Sequence, residues 1–292
     1  MMAKITAAQV KELRERTGAG MMDVKKALVK ADGDMDKATD ILRESGAAKA
    51  AKKSGRIAAE GLAAFDVEGN NAVLVEINSE TDFVSSNDKF VKFVDDVTKA
   101  ILAAKPADLE AAMNVPLGEG TIASAETELT AVIGEKITLR RFTILTKKDN
   151  EVFGAYKHNN GAIIAVTILD GDNAEAAKNI AMHVAAINPE YLDKSQVPAE
   201  VLEHQTDVFT KETEKEGKPS KIIPKIVEGR MNKYLAEICL VDQPYVKDSD
   251  MTVAEYVKSV KSEVKNFVRY EVGEGIEKKQ EDFAAEVREQ MR

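Results

Sequence analysis

Asp82 and Phe83 set a carboxylate beside an aromatic ring within an otherwise polar stretch, Ser79-Glu80-Thr81-Asp82-Phe83-Val84-Ser85-Ser86-Asn87-Asp88-Lys89-Phe90. An isolated Phe at such a place either packs on the helix that follows or serves as an anchor for a partner. Asp82 has a local reading too, as a turn or capping carboxylate, and the two roles are compatible. Marks of covalent chemistry are missing. No Gly-rich loop is followed by Lys-Ser/Thr, and Gly18-Ala19-Gly20 lies between predicted helices without the strand that a dinucleotide site requires. His158, His183 and His204 share no metal-ligand spacing with one another or with Cys239. His183 reads as a half-buried helix residue, and Asp95-Asp96 point to different sides of a helix. A hydrolase pairing His158 with a carboxylate such as Asp82 is the weakest reading, because a spatial triad leaves no trace in sequence.

The elements that position Asp82 and Phe83 belong to a repeat. At an offset of 91 residues, Ala63-Ala64-Phe65 matches Gly154-Ala155-Tyr156 and Val75-Glu76-Ile77 matches Val166-Thr167-Ile168. The register then breaks: Ile77 to Pro106 is 29 residues, whereas Ile168 to Pro189 is 21, so the first copy carries eight extra. A duplicated scaffold with one elaborated loop places function in that loop. Alternation predicts strands over 62–68 and 72–79 about a Gly69-Asn70 turn. A helix from near Asn87 then buries Phe90, Phe93, Val94, Val97 and Ile101 and ends before Pro106. Helical pieces at 109–113 and 123–133 lead to a strand at 137–145. The second copy repeats the plan with strands 152–158 and 162–169 and a helix over 173–187.

Ahead of the repeat, Thr6-Ala7-Ala8-Gln9 opens the first of three short helices, the second over 21–31 and the third carrying Met35, Ala38, Ile41 and Leu42. So small a unit has a thin core and suits docking better than catalysis. Residues 198–238 read as a helical hairpin, too short for a long coiled coil, with Pro224 in the first turn of its second arm or kinking it. A capping box at Thr252-Val253-Ala254-Glu255 predicts a helix through Val257, Val260 and Val264, then a strand with Val268, Tyr270 and Val272 on one face. A terminal helix closes the chain over 273–292.

The fold class is therefore α+β, with an N-terminal three-helix module, two related core subdomains with antiparallel sheets, a helical hairpin and a C-terminal module. Proposed boundaries are 1–45 for a partner-docking head, 46–56 for a linker, 57–145 and 146–272 for the two core subdomains, and 273–292 for the C-terminal module. With 44% hydrophobic and 31% charged residues and no long apolar run, the 292-residue chain reads as soluble. The absence of an apolar signal region and a single Cys239 fit a reducing, cytoplasmic setting. Residues 1–56 carry 13 Lys and Arg against 8 Asp and Glu, while the chain as a whole has a net charge of -9. Much of that local excess, Lys49, Lys52, Lys53 and Arg56, reads as a solvated tether. The head has no aromatic residue to stack on a base, which argues against nucleic acid.

Five stretches together resemble the elongation factor Ts family of guanine-nucleotide exchange factors. They are Arg16-Thr17-Gly18-Ala19-Gly20-Met21-Met22-Asp23-Val24-Lys25-Lys26-Ala27-Leu28, Thr81-Asp82-Phe83-Val84, His183-Val184-Ala185-Ala186, Glu228-Gly229-Arg230-Met231, and Glu271-Val272-Gly273-Glu274-Gly275-Ile276-Glu277-Lys278. The resemblance spans nearly the whole chain and implies a ubiquitin-associated-like head. It also implies a non-enzymatic factor, needing no cofactor, that binds the GDP form of elongation factor Tu. By that resemblance Thr81, Asp82, Phe83 and Val84 reach the partner's Mg²⁺ and phosphate site, Phe83 wedging between two helices. Lys25, Ile133, Gly134, His158 and Val246 match further partner contacts. Each also has a local reading: Lys25 a solvated helix lysine, Ile133 core, Gly134 a helix C-cap, His158 a turn residue. Val24 replaces a cysteine common among relatives, and Lys247 an apolar contact. The expected partners exclude nucleic acid and membrane, and the helical hairpin is a candidate for assembling a dimer or heterotetramer. A protein-binding adaptor without exchange activity is the alternative.

Overall fold

The computed structural model of the chain describes residues 5–277. These form two compact units, one of residues 5–66, 75–143 and 271–277, the other of residues 67–74 and 144–270. The terminal helix expected over 273–292 falls almost wholly outside the described residues.

In the first unit, Thr6 caps α1 (Ala7–Thr17). Its hydroxyl accepts from the Gln9 N–H at 3.3 Å while the Gln9 side chain accepts from the Thr6 N–H at 3.0 Å, so two amides without helical partners are satisfied reciprocally. Gly18, at φ 65, ends the helix in the left-handed conformation. α2 (Met21–Lys30) and α3 (Met35–Ala51) follow, and Leu13, Val24, Ala27, Leu28 and Ala38 close a small core among the three. Next come β1 (Glu60–Glu68), β2 (Asn71–Ser79), a single helical turn α4 (Asp82–Ser85) and α5 (Asp88–Ala104). A short helix α6 (Leu109–Met113), the small ladder β3 (Pro116–Leu117) with β4 (Gly120–Thr121), α7 (Ile122–Ile133) and β5 (Thr138–Thr146) complete the copy. Its sheet has the order β1-β2-β5.

The second copy begins with β6 (Glu151–His158), paired antiparallel to β7 (Ile163–Asp170) with Glu151 opposite Asp170, and continues into α8 (Ala174–Ile187). After α8 come α9 (Ala199–Lys215) and α10 (Ile223–Ile238), the hairpin arms, with Pro224 in the first turn of α10 where its missing N–H costs nothing. A small ladder, β8 (Pro244–Tyr245) with β9 (Asp248–Thr252), and α11 (Val253–Ser259) lead to β10 (Val264–Glu271), which lies beside β7. Both copies are thus β-β-α-β units whose third strand adds next to the second.

The repeat is reproduced down to its punctuation. Asn87 and Asn173 cap α5 and α8, each side chain accepting from a first-turn amide. Lys105 and Asn188 end them in the left-handed conformation, at φ 49 and 54, and Pro106 and Pro189 follow. The connection into the helix is residues 80–87 in the first copy and 171–173 in the second, and α5 has 17 residues against 14 in α8, which together account for the eight extra residues. Within the second copy, a Cβ on Gly154 would stand 2.0 Å from the Ala177 carbonyl, so only glycine lets the Ala-rich face of α8 sit so close to β6.

Three local features differ from expectation. The helix opened by Thr252 stops at Ser259, because Lys261 turns left-handed (φ 57) and the Ser262 N–H donates back to the Val257 carbonyl; Val264 is already strand. The turn α4 and the ladders β3/β4 and β8/β9 had no periodic signal. α3 runs on to Ala51, into the stretch expected to be linker. Glycine at position 46 weakens a helix by about 1 kcal/mol relative to Ala. A Cβ there would lie 3.2 Å from that of Ala131, so the glycine lets α3 pack closely on α7, and packing outweighs propensity.

Glu76 on β2 is fully buried and anchors one end of the first unit. It accepts from Arg140 at 2.8 Å, Arg141 at 2.5 Å, the Gly273 N–H at 2.8 Å and Asn78 Nδ2 at 3.1 Å. Burial by itself would raise its carboxyl, but the Gly273 amide and the two guanidiniums outweigh that and hold it below the ordinary value.

Candidate functional site

The extended connection holds the four residues Thr81 to Val84. Val84 is buried and roots α4, while Phe83, one position earlier, is 85% exposed; the ring does not pack on α5. Asp82 is exposed beside it. Thr81 precedes the turn at φ -125, ψ 156, but its hydroxyl does not cap the turn's amides. Instead the Thr81 O–H donates to Glu135 Oε1 at 2.7 Å and its N–H donates to Glu135 Oε2 at 2.9 Å. Ser79 Oγ closes the preceding bend by donating to the Thr81 carbonyl at 3.0 Å.

A second carboxylate reaches the other way. Glu80 Oε1 accepts from the Lys136 N–H at 2.6 Å, and Arg56 donates to Glu80 at 3.1 and 3.3 Å. Lys136 Nζ donates to the Arg56 carbonyl at 3.0 Å, and Lys53 Nζ donates to the Gly134 carbonyl. Glu80 and Glu135 therefore form a reciprocal clasp between the Phe83 connection and the corner where α7 becomes β5. That corner includes two other predicted residues, Ile133, half-buried at the end of α7, and Gly134, its left-handed C-cap at φ 90. The basic residues read as a solvated tether are bonded too: besides Lys53 and Arg56, Lys49 pairs with Asp23 at 2.7 Å. Lys25 is exposed on α2, near Met21 and Met22, which are 57% and 64% exposed.

In the second unit, His158 is exposed at the end of β6, its ring stacked on Tyr156 at 6.2 Å, and Val246 is exposed on the turn between β8 and β9. His183 corrects the sequence reading. It is fully rather than half buried, because the β8/β9 turn folds over it. The Val246 N–H donates to His183 Nδ1 at 3.1 Å, and since an amide can only donate, the ring proton sits on Nε2, which donates to Gln243 Oε1 at 2.9 Å. Burial lowers the tendency of this ring to protonate, partly offset by Gln243. One helical turn away, Asn179 accepts from Lys247 Nζ at 2.7 Å and donates to the Tyr256 hydroxyl at 2.9 Å. So α8 pins the turn that carries Val246. No motif announced Glu80, Glu135 or this role of His183: the bonds Thr81–Glu135, Lys136–Glu80 and Val246–His183 join residues 54, 56 and 63 apart, beyond any local pattern.

Among the described residues no group of three or more His, Cys, Asp or Glu is placed to hold a metal, and no helix is long and apolar enough to cross a membrane. Cys239 is buried, and burial pushes its thiol up to about 11.

These features define a class: a duplicated α+β scaffold that presents one aromatic side chain to solvent from a doubly hydrogen-bonded base. Residues 80–274 match the family model described as Elongation factor TS. The chain is 64% identical over 292 residues to Elongation factor Ts of Lacticaseibacillus casei strain BL23, covering all of both chains. It is 58% identical over 290 residues to Elongation factor Ts of Pediococcus pentosaceus and 56% identical over 290 to that of Limosilactobacillus fermentum, covering 99% of each chain. The chain belongs to the elongation factor Ts family: translation elongation factors that act in protein biosynthesis by nucleotide exchange on elongation factor Tu.

Proposed function

We propose that the chain binds the GDP form of elongation factor Tu, displaces Mg²⁺ and GDP by inserting Phe83, and is itself released when GTP binds. The observation that carries this reading is a phenylalanine 85% exposed on a structured base, since a monomeric fold gains nothing by holding a large apolar ring in water. Asp82 acts beside it, near the metal. Lys25, Ile133, Gly134, His158 and Val246 supply further contacts to the partner. The functional division follows the boundaries given above, except that the docking head, expected over 1–45, extends through the end of α3 at Ala51. The factor works in the cytoplasm, without a cofactor, nucleic acid or membrane, and the helical hairpin is the candidate surface for assembly into a dimer or heterotetramer.

The energetics support the reading. GDP held through Mg²⁺ leaves slowly, and an exchange factor must stabilise the state in which those contacts are broken. Accelerating release ~10³-fold needs about 4 kcal/mol of differential stabilisation. Burying one Phe supplies about 1.5 to 3 kcal/mol, so the other contacts must supply the remainder. Linkage then requires nucleotide to weaken factor binding by the same ratio. Stopped-flow release of a fluorescent GDP from elongation factor Tu tests the proposal. The off-rate rises with added factor if it holds; binding with an unchanged off-rate identifies an adaptor instead.

A further inference from the structure

The four-residue turn that carries Phe83 has little to hold it. An isolated helical turn is unstable, and α4 has no side-chain cap and one buried residue, Val84. What fixes the chain ahead of Phe83 is the Glu135 carboxylate, which takes both the N–H and the O–H of Thr81, one on each oxygen. Two bonds from one residue to a forked acceptor set the position and the orientation of that residue together. Glu135 is in turn held at the head of the α7-to-β5 corner, and the reciprocal bond from the Lys136 N–H to Glu80 prevents the two strands of the clasp from sliding.

We infer that Glu135 is a positioning residue for exchange: it touches neither nucleotide nor partner and acts by aiming Phe83. This rests on the reading of Phe83 as the group inserted into the partner. A ring already held in its bound orientation loses less conformational freedom on insertion, whereas a ring on a loose turn must be ordered each time. Removing the carboxylate therefore lowers the maximal exchange rate.

The test is a double-mutant cycle on the full chain, read by stopped-flow release of fluorescent GDP from elongation factor Tu. Glu135→Ala is expected to lower the maximal release rate roughly tenfold, about 1.4 kcal/mol. In a Phe83→Ala background the same substitution should change nothing further, because the group it aims is gone. Glu135→Gln should recover most of the rate: its amide oxygen still accepts from the Thr81 N–H, and its NH₂ can donate to the hydroxyl turned around. Thr81→Val, which removes the hydroxyl alone, should give a smaller loss, and it keeps the test decisive if Glu135→Ala does not fold. Equal losses in the two backgrounds overturn the inference while leaving Phe83 as the inserted group, and so does a full rate in both Glu135→Ala and Thr81→Val. If Phe83→Ala itself exchanges at the full rate, the reading beneath the inference fails with it.

Discussion

Phe83→Ala is expected to slow factor-stimulated GDP release by roughly 10- to 150-fold and to leave the unfolding of the chain almost unchanged. Both effects follow from the exposure of the ring. Because the side chain is 85% exposed in the free chain, truncating it removes little packing, so stability should move by no more than about 0.5 kcal/mol. For the same reason nearly all of its transfer free energy, about 1.5 to 3 kcal/mol, is still available to a partner's apolar slot. That converts to the range given for the rate. Where the loss falls is informative. If the ring binds equally well before and after GDP is expelled, its removal raises the factor concentration needed for half-maximal release; if it favours the open partner, the plateau rate drops. The proposal requires the plateau to drop. Stopped-flow traces over a series of factor concentrations, with thermal melts by circular dichroism, separate the cases. An unchanged plateau rules out Phe83 as the inserted group, and a melting temperature lowered by many degrees shows the ring to be part of the core.

Gly154→Val should destabilise the second unit by about 2 kcal/mol or more, seen as a lower melting temperature, because the new side chain meets the Ala177 backbone where 2.0 Å is available to its first carbon. Glu76→Gln should cost about 3 kcal/mol at neutral pH by leaving Arg140 and Arg141 facing a neutral amide. Since the Glu76 carboxyl lies below its ordinary value of 4.5 in the folded chain, its contribution is present above that pH and is lost as pH falls through the lower folded value; melts from pH 7 to 3 should show the mutant and parent converging. Glu126 has the opposite sign: burial raises its carboxyl above 4.5, partly countered by the Leu139 N–H, so the charged form is disfavoured in the fold and stability falls as pH rises through that interval. Glu126→Gln keeps an acceptor for Leu139 and is expected to melt at or above the parent at pH 7, with the difference vanishing in acid.

What was legible in sequence is what local chemistry determines. Thr6, Asn87, Asn173 and Thr252 start helices where their side chains can reach an amide two or three residues on. Apolar spacing located α5 and α8, and the broken register of the repeat located the elaborated connection. The missing parts depend on residues distant in sequence. Gly46 stays helical because Ala131 packs on it, Lys53 and Arg56 are tied to the body because Gly134 and Glu80 accept their hydrogen bonds, and His183 is fully buried because the Val246 turn closes over it. At the candidate site, Phe83 could be singled out by type and context, but its exposure could not, since the burial of Val84 beneath its turn and the bonds from Thr81 to Glu135 are contacts of the folded chain.

The two copies show why the first tolerates so exposed a group. Position 76 and its repeat counterpart 167 are both buried polar residues on the central strand, yet they are satisfied differently. Thr167 donates to the Ala177 carbonyl of the helix packed on its own sheet, at 2.9 Å, a contact that needs the short connection and the close approach at Gly154. Glu76 is satisfied by two arginines of β5 and by the Gly273 amide, so the first sheet does not rely on such a helix contact at this position. The connection between β2 and α5 is thereby free to lengthen, but a longer loop costs order unless something else ties it down. Ser79 before it and Phe90 after it are fully buried, and the Glu80–Glu135 clasp holds the middle. An aromatic raised on such a base needs no contact of its own to keep the fold intact, and on the proposed reading this is what leaves its apolar surface free for a second protein.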